Sequence, residues 1–233
     1  MSTEIDGKEE KAGAAVYSKG FLAFYDLYVL TLSNSIAWKC PRGRLLEHYN
    51  DNVSANHLDI GPGTGWYLRE AQWPTANPAV ALMDLNSNSL DMTLGRLAGT
   101  GARVQTHVGS VLAPIDPAFG QFDSVAANFL FHCVPGSWAE KGKAFQYIAD
   151  VTSDEGVFFG STILARGIKQ NIVAKALTSL YNSVLHTFHN TDDDLNGLTA
   201  ALESAFEDVQ IEIVGTVAIF AARKPRRIDN AAE

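Results

Sequence analysis

Gly61, Gly63 and Gly65 follow directly on a short apolar run, Asn56–Ile60, that carries an acid at Asp59. Residues without a Cβ let the main chain turn sharply and approach a ligand closely. A helix begun at about Trp66 would leave its first N–H groups pointing into the crevice beyond the strand, where folds of this kind bind nucleotides. A second acid, Asp84, sits near the end of another apolar run, residues 79–85. A doubly wound fold places a carboxylate against two ribose hydroxyls at this point, about 20 residues past the glycine loop. Because a carboxylate accepts two hydrogen bonds in a fork, a cis-diol is its natural partner. Two commoner ligands are excluded by spacing. The dinucleotide fingerprint needs its third glycine at position 66, which is Trp66, and no G-x-x-x-x-G-K-[ST] phosphate loop occurs.

The spacing Asp59-x-Gly61-x-Gly63-x-Gly65 resembles motif I of the class I S-adenosylmethionine (SAM) dependent methyltransferases, and Asp84-Leu85-Asn86 resembles their second motif. SAM carries an ammonium and a carboxylate but no phosphate, and an acid beside free N–H groups suits that zwitterion. The resemblance spans roughly residues 17–223 and implies SAM as cofactor, with S-adenosylhomocysteine as product. After the strand Arg103–Val108, the turn Gly109-Ser110-Val111 lies where the family often carries an acid facing the adenine amino group; Ser110 retains an acceptor there. Asn128 ends the fourth strand, and the following residues, 129–136, line the floor between donor and acceptor in relatives. Trp38-Lys39-Cys40-Pro41, following Tyr25-Asp26, resembles a signature of small microbial methyltransferases associated with natural-product tailoring. It adds Tyr25, Trp38 and Lys39 to the donor site, although Lys39 is open between pairing with the donor carboxylate and standing as a surface lysine.

Methyl transfer from a sulfonium is an in-line displacement, so the protein must hold the nucleophile about 3–3.5 Å from the methyl carbon and exclude water. Aromatic faces attract cations, which makes Tyr17, Tyr25, Tyr28 and Trp38 candidates to roof the site, with Tyr17, Phe21, Tyr28, Phe131 and Tyr181 expected on the acceptor side. His132 is the candidate general base for a protonated nucleophile; a substrate-shaping or core role stays open. His186 and His189 are spaced to share a helix face on the acceptor side, and the acids Asp192, Asp193 and Asp194 read as the first turn of the next helix. No metal is expected, because metal-assisted methylation needs acids at the end of the fourth strand, where only Asn128 stands. The reading is SAM-dependent O- or C-methylation of a small, hydrophobic acceptor in natural-product tailoring. The alternative is an enzyme of the same fold that binds SAM but catalyses a cyclisation, pericyclic reaction or elimination.

These residues need a frame, and 233 residues with 46% hydrophobic content suffice for one globular domain. The expected division is a flexible N-terminus over residues 1–15, the methyltransferase domain over 16–224 and a flexible tail over 225–233. A net charge of −8 argues against nucleic acid or an anionic membrane surface as partner. Lys224, Arg226 and Arg227 read as a solvated end. Two cysteines, Cys40 and Cys133, form no disulfide framework, and no apolar stretch reaches the ~20 residues of a spanning helix. A cytoplasmic enzyme acting on a small molecule is expected, with its oligomeric state open. Residues 16–32 have apolar positions at helical spacing, Pro41 opens a second helix through Tyr49, and strands then alternate with helices. Helices are expected at 89–98, capped by Ser87 or Asn88, and at 138–151, 168–189 and 192–206, the last capped by Thr191 or Asp192. Residues 209–214 and 217–222 flank Gly215-Thr216 as a hairpin. The expected fold is α/β: a Rossmann-like, doubly wound seven-stranded sheet, parallel with a C-terminal antiparallel hairpin and an N-terminal helical lid.

Overall fold

A computed structural model describes residues 36–227. The expected N-terminal helix, and with it Tyr17, Phe21, Tyr25 and Tyr28, lies outside the described residues. Seven strands form one sheet in the order β3-β2-β1-β4-β5-β7-β6. They are β1 (Asn56–Ile60), β2 (Ala79–Asp84), β3 (Arg103–Val108), β4 (Phe122–Asn128), β5 (Thr152–Ile163), β6 (Phe206–Val214) and β7 (Val217–Pro225). β1 to β5 are mutually parallel, whereas β7 runs antiparallel to both β5 and β6.

The strands buried on both faces read as continuous apolar runs, and their pleat divides the core into two layers. Leu58, Ile60, Ala81, Met83, Val125, Ala127 and Phe158 face one layer, closed by α4 (Trp138–Lys141), α5 (Lys143–Val151) and α7 (Leu195–Ala205). Val80, Leu82, Ala126, Val157 and Phe159 face the other. That layer is closed by α1 (Arg42–Asn52), α2 (Trp66–Glu70), α3 (Ser87–Leu97) and α6 (Ile172–Ser183). The strand order reverses between β1 and β4, so the carboxyl ends of β1, β2 and β4 border the crevice in which open α/β sheets bind ligands.

Several element boundaries differ from expectation, each for a local reason. The expected 138–151 helix is two helices broken at Gly142, where a Cβ would run into the Trp138 carbonyl. α3 is capped by Asn86, whose side chain accepts from Asn88 N at 2.9 Å, so it begins at Ser87. α6 is confined to Ile172–Ser183 because Asn171 caps its start and the Asn182 amide is held by Asn190 Oδ1 at 2.9 Å. The chain then turns through His186 at φ 51°. His186 and His189 therefore do not share a helix face. α7 is capped by Asp194, which accepts from Gly197 N at 2.7 Å, rather than by Thr191 or Asp192. Nor is the C-terminal basic cluster a plain solvated end. The Arg227 guanidinium donates to the carbonyls of Ala149 (2.6 Å) and Thr152 (2.8 Å), while Arg226 N donates to Ala205 O.

Candidate active site

The three loop glycines do three different jobs. All have positive φ, at 67°, 58° and 72°. Gly61 N donates to Met83 O at 2.8 Å, tying the tip of β1 to β2, and a Cβ there would meet Leu130 Cδ1 at 2.9 Å. At Gly63 a Cβ would meet nothing within 4 Å among the described residues, so the loop is open there. Gly65 caps α2 and is a packing residue: a Cβ would stand 2.7 Å from Thr93 Cγ2 and 3.1 Å from Thr93 Cα on α3. The close-packing task of the dinucleotide fingerprint's third glycine is thus carried here by Gly65, one position earlier.

Acids and amides surround that opening. Asp84 closes β2, with Oδ1 accepting from Asn86 N at 2.8 Å. Burial pushes its carboxyl up to about 6; the Asn86 N–H and Ser89 side chain oppose that rise, and the Asp59 charge adds to it. Asp59 is buried, and its Oδ2 accepts from Tyr49 OH at 2.8 Å. In register Asp59 pairs with Leu82 on one side and Ala126 on the other, placing it at the centre of the crevice. Asn128 at the end of β4 accepts from Ser161 Oγ at 3.1 Å, while its buried Nδ2 has no partner among the described residues. Leu85 and Asn86 lie half-buried beyond Asp84. Gly109 N donates to Asp84 O at 3.1 Å, and Ser110 Oγ accepts from Leu112 N at 3.0 Å, so this turn lies beside the β2 tip. Val111 is buried in the core beneath it.

Trp38 is fully buried, its ring 6.2 Å from Phe188 and its carbonyl accepting from Thr216 N at 2.9 Å. It belongs to the core layer between α1 and α6, a correction to the roofing role. Lys39 is exposed, at φ 53°.

On the acceptor side, a 3-10 turn at Phe131–Cys133 sends consecutive side chains in different directions. Phe131 enters the core and packs on Phe145, with ring centroids 4.7 Å apart; it is a core residue, not a substrate contact. His132 instead lies between Phe188 (4.4 Å) and Phe129 (5.9 Å), 1% exposed, with Nδ1 lacking a partner among the described residues. Burial, with a smaller contribution from the Lys141 charge, pushes its imidazole down to about 3. Tyr181 packs on the same Phe188, with centroids 4.6 Å apart and the rings tilted by 31°. His186 is exposed, whereas His189 N donates to His132 O at 2.7 Å.

The opposite end of the sheet also has an opening. A groove of about 410 Å³ is lined by Asn56, Ala79, Arg103, Gln105 and Phe122, at the starts of the strands and remote from these groups.

A family profile described as a methyltransferase domain matches residues 58–156. The chain is 36% identical over 218 residues to Methyltransferase ctvB of Aspergillus terreus, covering 91% of this chain and 93% of that one. It is 38% identical over 210 residues to the demethylluteothin O-methyltransferase of Streptomyces thioluteus, with 90% of each chain covered. The chain belongs to the class I SAM-dependent methyltransferases. A solved DhpI–SAH complex shares the fold at TM-score 0.61 and 13% identity, covering 93% of this chain and 97% of that one. SAM is therefore the cofactor, and this chain's open loop, β2 acid and unpartnered Asn128 amide fit a ligand that offers hydroxyls, acceptors and a cation.

One feature of this methyltransferase was not legible in its sequence. Lys141 is fully buried, with Nζ 2.7 Å from Asp193 Oδ2, and it also donates to the carbonyls of Phe131 (3.0 Å) and His189 (3.3 Å). Asp193 O in turn accepts from Ala165 N and Arg166 N. Burial pushes the Asp193 carboxyl up to about 6 against the pull of the ammonium, and pushes Lys141 down. The pair ties the turn carrying His132 to the segment between α6 and α7. Asp193 thus leaves the expected helix turn for a buried ion pair. Among the described residues no group of acids, histidines and cysteines is arranged to hold a metal. None of their helices is long and apolar enough to cross a membrane.

Proposed function

We propose that this enzyme methylates an oxygen of a small, largely apolar acceptor, as a tailoring step on a natural product. The observation that carries the reading is the opening at Gly63, bordered by Asp84 and the unpartnered Asn128 amide, with the unpartnered His132 Nδ1 beyond the same strand. The main chain of residues 61–65 and Asp59 take the amino-acid end of the donor, Asp84 with Leu85 and Asn86 takes the ribose, and Gly109, Ser110 and Val111 border the adenine. Bound SAM supplies an electrophilic methyl and leaves as a neutral thioether.

The chain's own groups hold and orient. Asp84 is fitted to accept two hydroxyls, and its raised carboxyl is ready to be stabilised by such donors. His132 is neutral at physiological pH, so it serves the acceptor as a hydrogen-bond partner through Nδ1 and is a weak base in the ligand-free protein. Phe129 and Phe188 flank that ring, with Tyr181 packed on Phe188, an apolar surround that excludes water from the path of displacement. The demethylluteothin relative, named for an O-methylation of a natural product, supports the oxygen as nucleophile.

The test is incubation with SAM and a panel of phenol, enol and carboxylic-acid acceptors. One methyl mass added per S-adenosylhomocysteine formed is expected. Conversion of an acceptor without S-adenosylhomocysteine would replace methylation by an isomerising or eliminating activity of the same fold.

A further inference from the structure

Behind the donor end lies a buried polar chain that the apolar core would otherwise have no use for. Tyr49 on α1 donates to Asp59 Oδ2 at 2.8 Å, and His57 Nε2 lies 2.9 Å from the same hydroxyl. His57 Nδ1 lies 2.8 Å from Ser124 Oγ on β4, and Ser124 Oγ accepts from Ser54 N at 2.9 Å. Tyr49, His57 and Ser124 have no measurable exposure, and Asp59 has 4%. Rings clamp the imidazole: Tyr49 at 5.6 Å, Trp73 at 5.7 Å and Phe159 at 6.1 Å.

Counting protons orders this chain. A phenol has one hydrogen, and Tyr49 gives it to Asp59, so its oxygen must accept from His57 Nε2–H. Nδ1 lies against Ser124 Oγ, which takes the Ser54 N–H and also lies 2.8 Å from Ser54 Oγ, itself a donor to Asn56 O. The Nε2–H of His57 and the hydroxyl of Tyr49 thus point the same way, toward the Asp59 carboxylate. Burial and the neighbouring Asp59 charge push the Tyr49 phenol well above its ordinary range, keeping the hydrogen on its oxygen.

We infer that Tyr49, backed by His57 and Ser124, is a positioning residue for the donor's amino-acid end, holding the Asp59 carboxylate in one orientation toward the ammonium. The inference rests on the proposed reading that Asp59 meets that ammonium. Orientation matters because a buried carboxylate free to rotate would lose part of its charge-assisted hydrogen bonding to a cation, and partners of liganding groups commonly tune affinity by one to two orders of magnitude.

The test compares two probes in the whole protein by calorimetry. S-adenosylhomocysteine has the amino-acid end, while 5′-methylthioadenosine has the same nucleoside without it. Tyr49→Phe keeps the ring and removes the hydroxyl; it is expected to weaken S-adenosylhomocysteine about tenfold and leave methylthioadenosine unchanged. Ser124→Ala is expected to move the same probe in the same direction by a smaller factor. Asp59→Asn separates this inference from the reading beneath it. If Asp59→Asn weakens S-adenosylhomocysteine selectively but Tyr49→Phe affects neither probe, or both equally, the positioning role is overturned. If Asp59→Asn leaves both affinities intact, Asp59 is not in the donor site and the reading itself fails. Nitrogen NMR of the unmutated protein gives an independent readout: the His57 ring is expected with hydrogen on Nε2, and a ring with a bare Nε2 contradicts the chain.

Discussion

Asp84 carries the sharpest single-residue consequence. Its carboxyl is raised to about 6, and ribose hydroxyls bind its ionised form. Donor affinity should therefore be constant near neutrality and fall as pH drops through about 6, as titrations at several pH values would show. The effect on stability has the opposite sign. A carboxyl whose folded value lies above its unfolded one contributes stability that is present below about 4 and lost as pH rises through about 6. Asp84→Ala should abolish the pH dependence of donor binding and weaken affinity by about 1–3 kcal/mol. His132→Ala should raise the acceptor KM roughly tenfold while donor affinity stays the same, measured by steady-state kinetics beside calorimetry. Asp84 and Gly63 were legible because strand ends and glycine spacing are local properties. Phe131 and His132 were not separable, since only the 3-10 turn decides that one packs on Phe145 and the other on Phe188.

Neighbouring glycines divide cleanly between binding and packing. A Cβ at Gly63 meets nothing within 4 Å among the described residues, so Gly63→Val should fold with a modest loss from its positive φ yet lose the donor. Gly65→Ala drives a Cβ against Thr93 on α3, main chain included, and should cost about 1–3 kcal/mol in thermal or denaturant unfolding. Equal behaviour of the two variants would erase the distinction. Parallel strands β2 and β4 were legible nearly to the residue, because double burial leaves apolar runs bounded by turn residues. The helices after β5 were not. Apolar positions recur across residues 168–189, but helix α6 stops where Asn182 and Asn190 bind each other, a contact eight residues apart that periodicity does not register.

The molecule is held as one body partly by polar groups in its core. Lys141 on α4 and Asp193 before α7 join three segments through one buried ion pair. Lys141→Met should leave Asp193 without its cation and cost about 3–5 kcal/mol, and adding Asp193→Leu should recover much of that loss, as unfolding curves of the single and double variants would show. The alternation of strands and helices made the sheet and its closing hairpin legible before any contact was known. This ion pair was not: three consecutive acids resemble a helix's first turn, and nothing local marks the middle one for burial. The account of the whole enzyme stands on a sulfonium nucleoside lying across the carboxyl ends of β1, β2 and β4. Titration of S-adenosylhomocysteine into the ligand-free protein tests that most directly. Saturable heat from one site per chain, lost in Gly63→Val, is the predicted result; a folded protein that gives no heat, or Gly63→Val that binds as well as the parent, would contradict it.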